Sequence, residues 1–274
     1  MLGNAVYRFL SSRSDHTVYG TVRSLQGLPG TGFEHGAGII NGVDVADLDS
    51  VVAAFVRARP SVVINCVGVI KQLAQGSDPL HVIPINSLLP HRLARLCAAA
   101  GSRLVHISTD CVFSGKTGGY RESDAADADD LYGRSKYLGE VSQDDSITLR
   151  TSIIGHELRS AHGLVDWFLA QEGPVQGFTR AVFSGLPTVA LAEVIRDRVL
   201  ADSSLSGLYH VSSAPISKHD LLRIVAEVYG RTTVIVPDNR LVIDRSLDST
   251  RFRSRTGYHP ADWPTLVRQM HAFA

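Results

Sequence analysis

Lysine is scarce in this 274-residue chain: Lys71, Lys116, Lys136 and Lys218 are the only ones, and arginine supplies the rest of the 27 basic residues. Acidic residues also number 27, so neither sign of charge argues for nucleic acid or an anionic membrane as a partner. Cysteine is sparse as well. Cys66, Cys97 and Cys111 are odd in number and follow no metal-ligand spacing, which argues against a disulfide framework or a zinc site and suggests reduced thiols in a cytoplasmic protein. No apolar run reaches the ~18 residues of a membrane span, and Asn4, Arg8 and Arg13 break the first segment, so it does not read as a signal peptide. Repeats and low-complexity tracts are absent. What is present is an ordinary globular composition, 44% hydrophobic and 20% charged.

Short apolar runs alternate with longer amphipathic ones. Strands are expected at 16–22, 37–43, 61–68, 103–109 and 146–152, with helices at 47–58, 86–100 and 130–143. Val- and Ile-rich strands without clean alternation suit a parallel sheet covered on both faces. The strand–helix alternation therefore predicts an α/β fold: a doubly wound, Rossmann-like parallel sheet with a smaller C-terminal substrate-binding lobe. The expected division is 1–155 for the sheet domain and 156–274 mainly for the lobe, with parts of 185–213 completing the sheet. Later strand-like pieces stand at 207–213 and 232–237. In such sheets ligands bind beyond the carboxyl ends of the strands, which directs attention to the residues that end each strand.

One apparent motif fails at this level. The stretch SGKTGG (114–119) ends like a phosphate-binding P-loop, but the position that needs the first glycine is Asp110, a carboxylate that would repel phosphate. A glycine-rich surface loop is the better reading. By contrast, LYGRSKYLGE (131–140) places Tyr132 and Lys136 four residues apart, on one face of a helix. An ammonium beside a phenol favours phenolate and is expected to lower the tyrosine pKa from ~10 toward working pH. Such a tyrosine can give a proton to a carbonyl oxygen being reduced. Upstream, RLVHIS runs into Ser108-Thr109-Asp110, where a strand-end hydroxyl can share developing charge, or else bond local backbone as a turn residue.

Taken together, HISTDCVFSGKTGGYRESD and YGRSKYLGE resemble the core of the extended short-chain dehydrogenase/reductases, and more narrowly the dTDP-4-dehydrorhamnose reductase family. The likeness extends through Asn65-Cys66-Val67-Gly68, LRTSIIG (149–155) and FSGLPT (183–188). The resemblance implies that Thr109 polarises a 4-keto oxygen, that Tyr132 protonates it, and that Lys136 tunes the tyrosine and holds the nicotinamide ribose. It implies a nucleoside-diphosphate 4-keto-6-deoxy sugar as substrate, bound near Thr109, Asp110, Cys111 and Ile153. Cys111 stands where the family commonly has tyrosine and Ile153 where it commonly has tryptophan, so the sugar's identity stays open. The 4,6-dehydratases carry Thr-Asp-Glu where this chain has Thr109-Asp110-Cys111, and elimination would lack its base.

For the cofactor, Arg23 at the end of the 16–22 strand suits the 2′-phosphate of NADPH, NADH being the alternative and a solvated surface arginine the bland reading. Asp44-Val45 resembles the pair that contacts adenine, with helix capping as the competing role and Asp47 the more natural cap. Cys66, Val67 and Gly68 are expected along the cofactor, with Tyr132 and Lys136 at its nicotinamide end. Met1-Leu2-Gly3 resembles the end of the family's Gly-x-x-Gly-x-Leu-Gly turn, with Gly3 its last glycine; the expectation is that a first strand and two glycines, roughly a dozen residues, belong upstream. Trp167 and Phe168 are read as lobe core. Two other functions stay open: a non-catalytic NADP-binding regulatory subunit, as in relatives that partner methionine adenosyltransferase, and a nucleotide-sugar epimerase. A homodimer is possible.

Overall fold

The computed structural model of the chain describes residues 1–12, 15–26, 38–71, 76–142, 145–158 and 162–274. In chain order, the first part forms α1 (Leu2–Ser11), β1 (Gly20–Val22), β2 (Ile39–Asn41), α2 (Leu48–Ala58), β3 (Val62–Asn65), α3 (Pro79–Ile83), α4 (Leu89–Ala100), β4 (Arg103–Thr109), α5 (Leu131–Leu138) and β5 (Ile147–Thr151). Next come β6 (Ile153–Ile154), α6 (Leu164–Leu169), β7 (Val175–Phe178), β8 (Ala181–Phe183), β9 (Leu186–Pro187) and α7 (Thr188–Val194). The chain continues with β10 (Gly207–His210), β11 (Ile216–Ser217), α8 (Lys218–Val228), β12 (Ile235–Asp238), β13 (Ile243–Asp244), α9 (Thr250–Thr256) and α10 (Trp263–Phe273).

The main sheet has the order β10-β5-β4-β3 with every pair parallel. Alternation along β4 sends Val105 and Ile107 into one apolar layer and Leu104 into the other. The first layer joins α1, through Leu2, Val6 and Leu10, to residues of α7, α8 and α10. The second packs Val51 and Ala54 of α2 and Leu89, Leu93 and Cys97 of α4 against Leu104. A parallel sheet buried between two helical layers is the doubly wound arrangement expected from the alternating pattern. Strands β1 and β2 pair in parallel as a separate ribbon, not hydrogen-bonded to the β3 edge among the described residues. Smaller sheets, β11-β8-β13 and β12-β7, are built from residues after 174.

Most strand expectations hold with shorter bounds. The stretch 16–22 contributes three paired residues and 61–68 four, because the polar or glycine ends leave the ladder. Residue 37, the start of another expected strand, and residue 143, the end of an expected helix, lie outside the described residues. Asp47 caps α2, its side chain accepting from the Asp49 N–H at 3.0 Å. The expected helix at 86–100 begins earlier, at Pro79, and passes through a π-helical turn, Pro84–Leu88, before α4. Phe168 is fully buried, but Trp167 is 38% exposed, which corrects the reading of both as core. A single helical turn has one inward face, and Phe168 occupies it.

The SGKTGG loop wraps a side chain. The N–H groups of Gly115, Lys116 and Thr117 all donate to the Tyr120 hydroxyl, at 3.1, 3.0 and 3.3 Å. Those are the donors a P-loop would aim at phosphate, and a phenol oxygen satisfies them here. Gly115 and Gly118 hold φ +84° and +70°, the left-handed values such a curl requires.

Candidate active site

The parallel register brings the ends of β3, β4 and β5 to one edge of the sheet. Strand β4 ends at Thr109, whose Oγ1 accepts from the Cys111 N–H at 3.1 Å and starts a 3₁₀ turn over Asp110–Val112. Helix α5 opens beside this turn. Its cap, Asp130, accepts from the Gly133 N–H at 2.6 Å. A Cβ on Gly133 would stand 2.2 Å from the Cys111 carbonyl oxygen, so glycine is what lets the helix press against the end of β4. That contact delivers Tyr132 to Thr109 and Cys111.

Lys136, one turn further, is 4% exposed and donates from Nζ to the carbonyl of Ile107 in β4 at 2.8 Å. Burial pushes its pKa down to about 8, while Glu140 and then Cys66 oppose the shift. The same desolvation acts on Tyr132 in the opposite chemical sense. Its phenol is pushed well above the ordinary value by burial, with Cys111 adding to the rise and a hydrogen bond from Thr109 pulling the other way. This corrects the expected lowering of the tyrosine by Lys136. Removing an acid from water favours its neutral form, and the lysine donates to the Ile107 carbonyl of the backbone. A neutral phenol is a proton donor.

Ser108 and Thr109 separate cleanly. The Ser108 hydroxyl turns away and donates to Glu140 Oε1 at 2.7 Å. Glu140 in turn makes a two-point pair with Arg150, both at 2.7 Å, and Arg150 reaches His210 Nε2 at 3.3 Å. Successive strand residues face opposite ways, so only one of the two hydroxyls, that of Thr109, reaches Tyr132. Asp110 is 4% exposed; burial raises its pKa, and Arg245 then lowers it. Burial also pushes the Cys111 thiol up to about 12. Ile153 begins β6, one residue after Ser152, whose side chain hydrogen-bonds Asp110.

The β3 end supplies the other side. Asn65 accepts from the Val67 N–H at 3.1 Å and turns the chain after the strand. Cys66, its thiol pushed up to about 12 by burial, lies near enough to Lys136 to feel its charge. A Cβ on Gly68 would meet Asn86 Oδ1 at 3.5 Å and Lys136 Nζ at 3.9 Å, so this glycine leaves open the space in front of the lysine. Gly3, in the first turn of α1, faces the Cys66 Cβ at 3.5 Å from its own ideal Cβ position. Arg23 follows β1 and is exposed. Asp44 follows β2, but one of its oxygens accepts from the Ala46 N–H at 2.9 Å, while Val45 packs beside the α2–α4 layer. Arg23, Asp44 and Val45 belong to the β1–β2 ribbon, and among the described residues no hydrogen bond joins them to the β3–β4 group.

Sequence reasoning missed Asn86. Its Oδ1 accepts from the Val69 N–H at 2.8 Å, and its Nδ2 donates to the Val69 carbonyl at 2.9 Å and to Ser135 Oγ at 3.1 Å. One fully buried amide thereby ties the β3 loop to α5. The available signal was a lone asparagine inside an apolar helical run containing Pro84 and Pro90, where a π-turn re-aims a side chain.

Residues 1–241 match the family model described as RmlD substrate binding domain. Spore coat polysaccharide biosynthesis protein SpsK of Bacillus subtilis is 32% identical over 207 residues, covering 71% of this chain and 70% of that protein. The dTDP-4-dehydrorhamnose reductase of Aggregatibacter actinomycetemcomitans is 24% identical over 257 residues, 85% of this chain and 87% of that protein. Among solved structures, a hypothetical dTDP-4-dehydrorhamnose reductase from Sulfolobus tokodaii superposes with a TM-score of 0.76 at 26% identity, covering 96% of this chain and 94% of that one. The Bacillus anthracis dTDP-4-dehydrorhamnose reductase, solved in complex with NADP, shares the fold with a TM-score of 0.75 at 20% identity, over 85% of this chain and 89% of that one. The chain belongs to the RmlD substrate binding domain family.

Proposed function

We propose that the chain reduces the 4-keto group of a nucleotide-linked 4-keto-6-deoxy sugar, with NADPH as the reductant, in the synthesis of a polysaccharide or glycan. The observation that carries this reading is a neutral, half-buried Tyr132 held against Thr109 with a buried Lys136 one helical turn away, at the carboxyl edge of a parallel sheet. The comparisons support the substrate class, since relatives of the same family carry the names of dTDP-4-dehydrorhamnose reductases.

The residues present fit a nicotinamide cofactor. Gly68 keeps the space before Lys136 Nζ clear, and that ammonium, buried at the ends of β3 and β4, is placed to hold a ribose hydroxyl. Arg23 offers an exposed guanidinium to a 2′-phosphate, the feature that favours NADPH over NADH. When bound, the reduced nicotinamide supplies the hydride. The chain's own contribution is electrostatic and protic: Thr109 donates a hydrogen bond to the ketone oxygen, and Tyr132 passes its proton to that oxygen as negative charge develops there. Lys136 stabilises the tyrosinate left behind. The dehydration reaction of related enzymes would need a carboxylate at position 111, and Cys111 offers a thiol whose pKa is pushed up to about 12.

The test is NADPH consumption, followed by its absorbance, with dTDP-4-keto-6-deoxyglucose. Tyr132→Phe is expected to lower kcat roughly 10²- to 10⁴-fold while leaving substrate affinity close to wild type. Saturable binding of both ligands by the wild-type chain without turnover would remove the reductase reading.

A further inference from the structure

Three successive residues of β4 are each held by one residue of the α5 segment. Lys136 donates to the Ile107 carbonyl, the Ser108 hydroxyl donates to Glu140, and Thr109 hydrogen-bonds Tyr132. Tyr132 and Lys136 have roles in the chemistry above, whereas Glu140, next in the series at the same four-residue spacing, has none. Its side chain is 9% exposed and that of Arg150 3%. Both of its oxygens are committed. Oε1 accepts from Ser108 and from Arg150 Nε, and Oε2 from a terminal nitrogen of Arg150, each at 2.7 Å. The Arg150 guanidinium stands 5.1 Å from the centre of the Phe113 ring. His210 donates from Nδ1 to the Tyr120 carbonyl at 3.0 Å, so its Nε2 is the acceptor that Arg150 meets at 3.3 Å.

A carboxylate so placed needs a reason other than stability. Removing an ion pair from water costs about what its attraction returns, and apolar residues often replace buried pairs without loss. A neutral amide would hold Ser108 as well, since its oxygen accepts the same hydrogen bond. What an amide cannot supply is negative charge, and Lys136 is where that charge is felt. Burial weakens the hold of Lys136 on its proton, and Glu140 opposes this more than Cys66 does. The other groups facing the ammonium carry no charge to help it. Cys66, at the end of β3, is a thiol pushed up to about 12, and His106 of β4 is kept neutral by burial and then by Lys136 itself. Tyr132, on the same helix, is a neutral phenol, and Arg150, from β5, is engaged by Glu140. That leaves Glu140 as the carboxylate whose charge reaches Lys136.

We infer that Glu140, locked by Ser108 and Arg150, is a positioning residue: it keeps the Lys136 ammonium charged at the Ile107 carbonyl and ties the end of β4, with Thr109, to α5. The inference rests on the reading of Lys136 as the partner of Tyr132. Its test follows the lysine itself and needs no turnover, so the two fail separately.

The chain has four lysines, so isotope-labelled lysine gives an NMR spectrum of few side-chain signals, and Lys136→Met identifies the signal of Lys136. Its titration is expected at about 8 in the wild type and lower by about one pH unit or more in Glu140→Gln. Glu140→Asp keeps the charge and is expected to titrate closer to the wild type. Should the unpaired Arg150 unfold Glu140→Gln, a double variant that adds Arg150→Gln removes both buried charges and is expected to shift in the same direction by less. A residue that only held the backbone would lower the rate and leave this titration in place. In NADPH turnover, Glu140→Gln is expected to lose most at about pH 8 and to approach the wild type toward about pH 6. If the wild-type chain binds its ligands without turnover, the lysine titration still decides. Lys136 titrating at the wild-type pH in whichever of the two glutamine variants folds overturns the role of Glu140.

Discussion

At the scale of single residues, burial determines what each ionisable group can do. Desolvation acts on both Tyr132 and Lys136, yet the phenol becomes a weaker acid and the ammonium a stronger one. Through the neutral range the tyrosine therefore stays protonated, ready to donate, and the lysine stays largely charged. Above pH 8 the lysine discharges while the tyrosine still holds its proton, because its pKa lies above the ordinary 10. Reduction is thus expected to decline as pH rises through about 8, and the limb belongs to Lys136. A pH–rate profile from about pH 6 to about pH 10 checks this, and a rate that stays flat past pH 9 would contradict it. Spacing on a helix placed the two side chains on one face, but the direction of the tyrosine shift was not legible in it. Solvent exclusion by β3, β4 and the Cys111 turn is a property of the assembled site.

At the scale of elements, α5 is held by close backbone approaches and not by a strongly apolar face. Gly133 meets the Cys111 carbonyl, Gly139 would place a Cβ 2.0 Å from the Asn86 carbonyl oxygen, and Asn86 bonds Ser135 from the π-turn. Gly133→Ala leaves helix propensity intact or improved, so any loss must come from the clash. The expected cost is about 1–3 kcal/mol in denaturant unfolding, together with reduced kcat as Tyr132 moves off Thr109. A stabilised variant would show that α5 and the Cys111 turn yield at this contact without cost. The sequence made α5 visible through the four-residue spacing of Tyr132 and Lys136. It concealed Asn86, because the value of a buried amide lies in partners 17 and 49 positions away.

For the whole molecule, the sheet is uneven. Strands β4 and β5 are buried along their full length and sit between neighbours on both sides, whereas β1 and β2 form a two-stranded ribbon with exposed positions in each strand. Isolated ribbons depend on packing for stability. Amides of Gly20–Val22 and Ile39–Asn41 are therefore expected to exchange with solvent through local opening well before those of Arg103–Thr109. Hydrogen exchange read by mass spectrometry tests this, and equal protection of the two regions would mean that the ribbon unfolds only with the core. Because Arg23 and Asp44 stand at the ends of this ribbon, NADPH is expected to protect it preferentially. Among the described residues, no helix is long and apolar enough to cross a membrane.

The sequence by itself determined what depends on neighbours within a few turns. The alternating elements, the cap at Asp47, the shared face of Tyr132 and Lys136, and the failure of SGKTGG as a P-loop all follow from local spacing and residue chemistry. Tertiary structure decided what depends on pairing across the chain. It separated Thr109 from Ser108, gave Asn86 its partners and raised the tyrosine. It also drew Arg245 to the Phe113 carbonyl across 132 positions. Local propensity acts through a residue's own backbone, whereas desolvation and charge depend on whatever the parallel register brings alongside.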